Sequence, residues 1–170
     1  FFIWREQGQT VIEHVTGVLL AGGRSRRMGA DKRFLEVGEK TLVERALEVY
    51  EQLFGEILVV VAEPSADLAI IRHRVLIHMI PDCGSLGGLY TGLEGATRER
   101  VFAAACDMPF LNSAVIAHLV ALSGKSDIVM PKLATGLQPM HAVYAKTCLP
   151  HFRRMIDARR FTIHEVSQNA

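Results

Sequence analysis

The residues with the densest chemistry lie between Leu20 and Arg33. An apolar run, Val18 to Ala21, stops at Gly22-Gly23, and the stretch after it carries Arg24, Arg26, Arg27, Lys32 and Arg33 against one acid, Asp31. Adjacent glycines let the backbone turn sharply and approach a ligand closely, because no Cβ stands in the way. Successive N–H groups in such a turn form a concave nest for anions, and guanidinium and ammonium groups add positive charge. A buried strand feeding a glycine-rich basic loop reads as a nucleotide-phosphate site. The competing reading is a strand followed by a solvated basic turn. Neither of the commoner phosphate motifs is present. A P-loop requires Lys-Ser/Thr directly after its last glycine, whereas Gly29 precedes Ala30-Asp31, and the adjacency of Gly22 and Gly23 excludes G-x-G-x-x-G.

The elements that position this loop follow from periodicity. Thr41-Leu42-Val43-Glu44 is a capping-box pattern, and apolar residues then recur at helical spacing to Phe54, with Gly55 as the stop. Ile57 to Val61 is a continuous apolar run suited to a strand covered on both faces. Residues 65–72 predict a short helix, Val75 to Ile80 a third strand, and Ser85 to Thr97 a helix. That helix contains Gly87, Gly88, Gly92 and Gly95, which make sense if its face packs against backbone or a ligand. Val101 to Cys106 predicts the next strand, and Asn112 or Ser113 caps a helix running to Leu122. A short strand follows at Ile128 to Met130, then a loop from Pro131 to Pro139. The last expected elements are a strand from Ala142 to Ala145 and a basic helix from Pro150 to Ala158. Phe161 to Ala170 reads as an edge strand or frayed tail, and residues 1–15 as an N-terminal extension ahead of a domain spanning 16–170. Strands alternating with helices predict a three-layer α/β sandwich, a mostly parallel Rossmann-like sheet with helices on both faces.

In open parallel sheets, ligands sit beyond the carboxyl ends of the strands. Four features fall there: the loop 22–33, Ala62, Asp82 and Asp107. A carboxylate at a strand end beside a triphosphate can hold Mg²⁺, which takes one or two carboxylates plus phosphate oxygens and keeps several waters. Asp107, after a fully apolar strand, is the candidate metal ligand, against the alternative of an Asp turn at a strand exit. A net charge of +1 over 170 residues argues against broad nucleic-acid binding, and no apolar run approaches a membrane span. Three widely spaced cysteines suit reduced thiols in a cytoplasmic protein, and the seven histidines form no H-E-x-x-H motif. His141, opening a strand, is read as structural.

From Leu20 to Lys32 the chain also fills every fixed position of L-A-G-G-x-S-x-R-M-G-x-D-K. It thereby resembles the molybdenum cofactor guanylyltransferases (MobA-type). The resemblance implies that Leu20, Ala21 and Gly22 form the nucleotide-contacting turn and that Lys32 contacts the phosphates, with Gly23 the second nucleotide-binding glycine of the turn on the residue reading above. It implies a guanine-nucleotide-binding role for Asp82 and magnesium ligation by Asp107, in Cys106-Asp107-Met108-Pro109. Gly136-Leu137-Gln138-Pro139 resembles the family's G-L-Q-P loop, which places Gln138 and Pro139 near the pterin substrate. Two departures stand out. Ala62 occupies a position where some members carry a nucleotide-binding Asn, and the family's N-V-N-T-P-E-like segment does not occur before Ala170.

The activity implied is Mg²⁺-dependent transfer of GMP from GTP to molybdopterin or Mo-molybdopterin, releasing pyrophosphate. Arg24, Arg27 and Lys32 would stabilise the departing pyrophosphate, with Asp107 seating the metal at the α-phosphate. The pterin phosphate is already ionised at neutral pH and requires no general base. Other proteins of molybdenum cofactor biosynthesis are the expected transient partners. Two alternatives stay open: a molybdopterin cytidylyltransferase or other small-substrate nucleotidyltransferase, and a non-catalytic nucleotide-binding regulator. The cytidylyl relatives more often read L-A-A-G, and Gly23 leaves room for a purine.

Overall fold

The computed structural model describes residues 2–4, 10–22, 36–37, 40–64, 68–69, 71–108 and 111–163. A short antiparallel pair, β1 (Phe2–Trp4) and β2 (Thr10–Ile12), precedes β3 (Thr16–Leu20). A second pair, β4 (Glu36–Val37) and β5 (Lys40–Thr41), precedes helix α1 (Leu42–Leu53). Then come β6 (Ile57–Val61), β7 (Arg74–Ile77), α2 (Gly84–Gly95), β8 (Arg100–Ala105) and α3 (Ser113–Leu122). After β9 (Ile128–Val129), a hairpin of β10 (Lys132–Leu133) and β11 (Gly136–Leu137) leads to β12 (His141–Ala145) and α4 (Leu149–Asp157).

The main sheet has six strands in the order β7-β6-β3-β8-β12-β9. The pairs from β7 to β8 are parallel, and β12 and β9 add antiparallel pairing beyond β8. Every residue of β3 and β6 is buried, as uninterrupted apolar runs require of strands covered on both faces. Leu19, Val59 and Phe102 face α1 and α3 on one side, while Val18, Val60 and Ala103 face α2 and α4 on the other. The sequence thus builds the expected three-layer α/β sandwich.

Local signals explain several boundaries. Thr41 Oγ1 accepts the Glu44 N–H at 3.2 Å while the Thr41 N–H donates to Glu44 Oε2 at 2.7 Å, completing the capping box. Asn112 Oδ1 accepts from the N–H groups of Ala114 and Val115 at the start of α3. Other expectations are corrected. The third strand ends at Ile77, not Ile80, because its neighbour β6 ends at Val61. His78 N–H takes the Val61 carbonyl at 2.9 Å, and Met79 N–H turns to Thr91 Oγ1 at 3.0 Å. Of the short helix expected at 65–72, residues 65–67 and 70 lie outside the described residues, and Leu68–Ala69 form a 3₁₀ turn closed by Ile71 N–H to Leu68 O at 3.0 Å. The expected loop at 131–139 contains the β10–β11 hairpin. Residues 161–163 carry no strand, and 164–170 lie outside the described residues. The segment ahead of Thr16 contributes Val11, Ile12 and Val15 to the buried core, and Ile12 bridges to Phe54.

The glycines of α2 have a packing cause. A Cβ built on Gly92 comes 2.5 Å from Val18 Cγ1, and one on Gly88 3.3 Å from Leu20 Cδ2, so the helix lies closely on β3. Gly92→Ala gains up to ~1 kcal/mol in helix propensity but overpacks a stiff buried Val18, costing about 1–3 kcal/mol. Net destabilisation by denaturant titration is expected. Gly95→Ala meets the movable end of the half-buried Leu76 instead and is expected to be milder.

Glu56 ties the amino ends of β3 and β8 together. It accepts from the Thr16 hydroxyl, from Thr97 Oγ1 at 2.9 Å and from the Thr97 N–H at 3.1 Å. Burial alone would raise its pKa, but these hydrogen bonds and the Arg98 charge together hold it below 4.5. A depressed carboxylate stabilises the fold above its unfolded pKa and loses that contribution as pH falls through the folded value. The group is largely exposed, so the contribution is about 1 kcal/mol. Glu56→Gln is therefore expected to lower Tm at pH 7, with the gap to wild type narrowing below pH 4.5.

Candidate active site

The carboxyl ends of four parallel strands set the site. Ala21 N–H donates to Val60 O at 2.8 Å, and Cys106 N–H donates to Leu20 O at 3.0 Å. These bonds carry the pairing past the last strand residues. Gly22, at the exit of β3, consequently sits between the exit of β6 and the Cys106-Asp107 turn after β8. A Cβ built on Gly22 comes 3.0 Å from the Ala62 backbone nitrogen and 3.0 Å from His78 Nε2. Across this edge the order is His78, Ala62, Gly22, Asp107.

Leu20 and Ala21 are buried, while Gly22 is half-buried. Asp107 is exposed and makes no hydrogen bond or ion pair with the described residues. Met108 N–H closes the turn onto Ala105 O at 3.2 Å. Among the described residues no three His, Cys, Asp or Glu side chains converge as a metal cage. A single exposed carboxylate oxygen donor fits Mg²⁺ completed by phosphate oxygens and water, not a metal held by protein alone.

Asp82 lies farther along the same edge, in the turn before α2, exposed and with φ at +62°. That left-handed backbone is one that Asp and Asn tolerate better than most residues. The hairpin exit approaches from the opposite side, where Met140 O accepts the Ala105 N–H at 3.2 Å. Gln138 is half-buried, with its Nε2 donating to Gly136 O at 3.3 Å. Pro139 is buried and its carbonyl accepts the Tyr144 hydroxyl at 2.7 Å, so the more accessible of the two expected pterin contacts is Gln138. Gly23, Arg24, Arg27 and Lys32 lie outside the described residues.

Sequence reasoning missed His78. Its ring is half-buried against Gly22, Gly87 and Gly88, and burial pushes its pKa below 6.5, so the imidazole is neutral at pH 7. His141, read as structural, is half-buried edge-on to Phe102 with centroids 5.1 Å apart. A cavity of about 450 Å³ lies at the other end of the sheet, walled by Ile12, Leu53, Val120 and Arg100, away from these groups. Among the described residues no helix is long and apolar enough to cross a membrane.

The molybdenum cofactor guanylyltransferase of Desulfosudis oleivorans is 32% identical over 157 residues, covering 91% of this chain and 77% of that protein. The fold is shared with the molybdopterin-guanine dinucleotide biosynthesis protein A of Archaeoglobus fulgidus. That match has a TM-score of 0.74 at 24% identity, over 88% of this chain and 76% of the other. It is also shared with a Mycobacterium tuberculosis protein solved in complex with manganese, with a TM-score of 0.68 at 19% identity, over 83% and 76%. The family model described as the MobA-like NTP transferase domain matches residues 17–168, and this chain belongs to that family.

Proposed function

We propose that this chain is a molybdenum cofactor guanylyltransferase, moving GMP from GTP to the terminal phosphate of molybdopterin or Mo-molybdopterin. The observation that carries the reading is the placement of Gly22 and Asp107 side by side at the ends of β3 and β8, in a chain similar to relatives of that name. A phosphate oxygen of the pterin forms the new bond to the α-phosphorus as the bond to the bridging oxygen breaks, and pyrophosphate leaves. Such transfers need in-line positioning and charge neutralisation more than covalent help from protein.

The Gly22-Gly23 turn would cradle phosphates, with Arg24, Arg27 and Lys32 neutralising the leaving pyrophosphate. Asp107 would hold Mg²⁺, which when bound supplies positive charge to the phosphate oxygens. The divalent metal accords with the manganese complex of the mycobacterial relative. Asp82 would accept hydrogen bonds from guanine N1–H and N2–H₂, and Gln138 would face the pterin with Pro139 behind it. We place the reaction in the cytoplasm, with partners confined to the two substrates and other cofactor-biosynthesis proteins, and with no role for nucleic acid or membrane.

Calorimetric titration with GTP, ATP and CTP tests the base choice. A carboxylate deprived of its donors is costly to desolvate, so GTP is expected to bind more tightly by roughly 1–3 kcal/mol. Equal affinity for GTP and CTP would overturn the guanine assignment in favour of the cytidylyl alternative.

A further inference from the structure

At the amino ends of the strands, opposite the edge that carries Gly22 and Asp107, a cavity of about 450 Å³ opens between the ends of α1 and α3. Ligand pockets span about 300–1,000 Å³, so the space suits a small molecule. The buried Ile12, Leu53 and Val120 form its apolar wall. Ala117 and Ala121, one turn apart on α3, line it with side chains too short to fill it. The Ser123 hydroxyl, on the same side, donates to Val120 O at 2.7 Å. Ile12 and His14 lie ahead of residue 17, where the family match begins, so part of the wall is built by chain outside the matched domain.

Arg100, at the start of β8, brings charge to this apolar space. Its guanidinium donates to Ser126 O at 2.6 Å and forms no ion pair with the described residues, so most of its N–H donors remain for a ligand. No acid among the described residues lines the cavity. Glu13, beside His14 in sequence, pairs with Arg98 at 3.7 Å, and Asp127 Oδ1 accepts from the Thr147 hydroxyl at 2.6 Å. His14 is held below 6.5 by burial and by positive charge that includes Arg100, so it is neutral at pH 7. The field at this end is positive, and Arg100 is its source within the lining. An apolar chamber with one guanidinium on its wall is complementary to a molecule with an apolar body and a single carboxylate, which the guanidinium fork can grip with two hydrogen bonds. A doubly charged phosphate would lose more hydration among apolar walls than one guanidinium returns.

We propose that this cavity is a ligand site for a small apolar monocarboxylate, its carboxylate seated on Arg100 and its body between α1 and α3. Arg100 and Asp107 bracket β8 and stand about 20 Å apart at ~3.3 Å per residue, so this site and the nucleotide edge can be filled at once. The site does not depend on which reaction the chain catalyses. The probes are naphthoate and octanoate, with naphthamide and octanamide as their uncharged counterparts. Binding to wild type, Arg100→Gln and Ala121→Phe is measured by calorimetry, with and without saturating GTP and Mg²⁺, and thermal unfolding checks that both variants are folded. Ala121 is an exposed position of α3, so the added ring enters the chamber without displacing the core.

Each acid is expected to bind once per chain and to resist displacement by GTP. Its amide should bind about 10- to 150-fold more weakly, the loss of one charge-assisted hydrogen bond. Arg100→Gln should weaken the acids by the same factor and leave the amides unchanged. Ala121→Phe should abolish binding of acids and amides alike, with Arg100 still in place. Absence of saturable binding by both acids would overturn the proposal. Equal affinity for acid and amide, displacement of the acid by GTP, or undiminished binding by folded Ala121→Phe would each overturn it as well.

Discussion

Asp107→Asn is expected to reduce pyrophosphate release by on the order of 100-fold or more while leaving the fold intact. The change preserves size and removes the charge, so it weakens the site for a hard divalent cation at its carboxylate donor. Losing one preorganised electrostatic contribution to phosphate charge costs about 10²–10³ in turnover in comparable sites. Stability responds little, because Asp107 is exposed and bonds to none of the described residues; such surface changes fall within about 0.5 kcal/mol. Initial rates at saturating GTP across a Mg²⁺ titration, alongside thermal unfolding, check both halves. Near-normal turnover at saturating Mg²⁺ would remove Asp107 from the metal site, whatever the activity of the chain.

The second large effect is expected at Lys32. If it contacts the triphosphate, Lys32→Ala removes a charge-assisted hydrogen bond of about 1.5–3 kcal/mol, a ~10- to 150-fold loss in GTP affinity. The loss should be smaller for GMP, because the β- and γ-phosphates carry the added charge, and it should shrink at high salt as ions screen the loop. The quantity to measure is the GTP-to-GMP affinity ratio in wild type and variant. A ratio that does not change assigns Lys32 to solvated surface.

The core of the fold was legible where side-chain pattern alone decides structure. Ile57 to Val61 could only be a strand covered on both faces, and Thr41 with Glu44 could only start a helix. Gly22 and Asp107 were legible as groups of one edge because a parallel sheet brings every strand's carboxyl end there, while their adjacency comes from the pairing of β3 with β8. His78 was not. The run from Val75 to Ile80 reads as unbroken strand because apolar residues flank the histidine, which places it inside the sheet. Where the strand stops depends on the hydrogen-bond supply of its neighbour: β6 ends at Val61, and β7 must end with it. The glycines of α2 were read as packing against backbone or a ligand, whereas the atoms nearest them belong to the side chains of Cys83, His78, Leu20, Val18 and Leu76, a three-dimensional fact that spacing does not carry. The β10–β11 hairpin was hidden for a similar reason, since two-residue strands carry too little pattern to stand out from a loop.

The most direct test of the account is a single incubation of the chain with molybdopterin, Mg²⁺ and either GTP or CTP, followed by mass analysis of the pterin and assay of pyrophosphate. Pyrophosphate release with GTP, stoichiometric with a molybdopterin guanine dinucleotide and much faster than with CTP, is the predicted result. Formation of the cytosine dinucleotide instead, or tight GTP binding with no dinucleotide and no pyrophosphate, would contradict it.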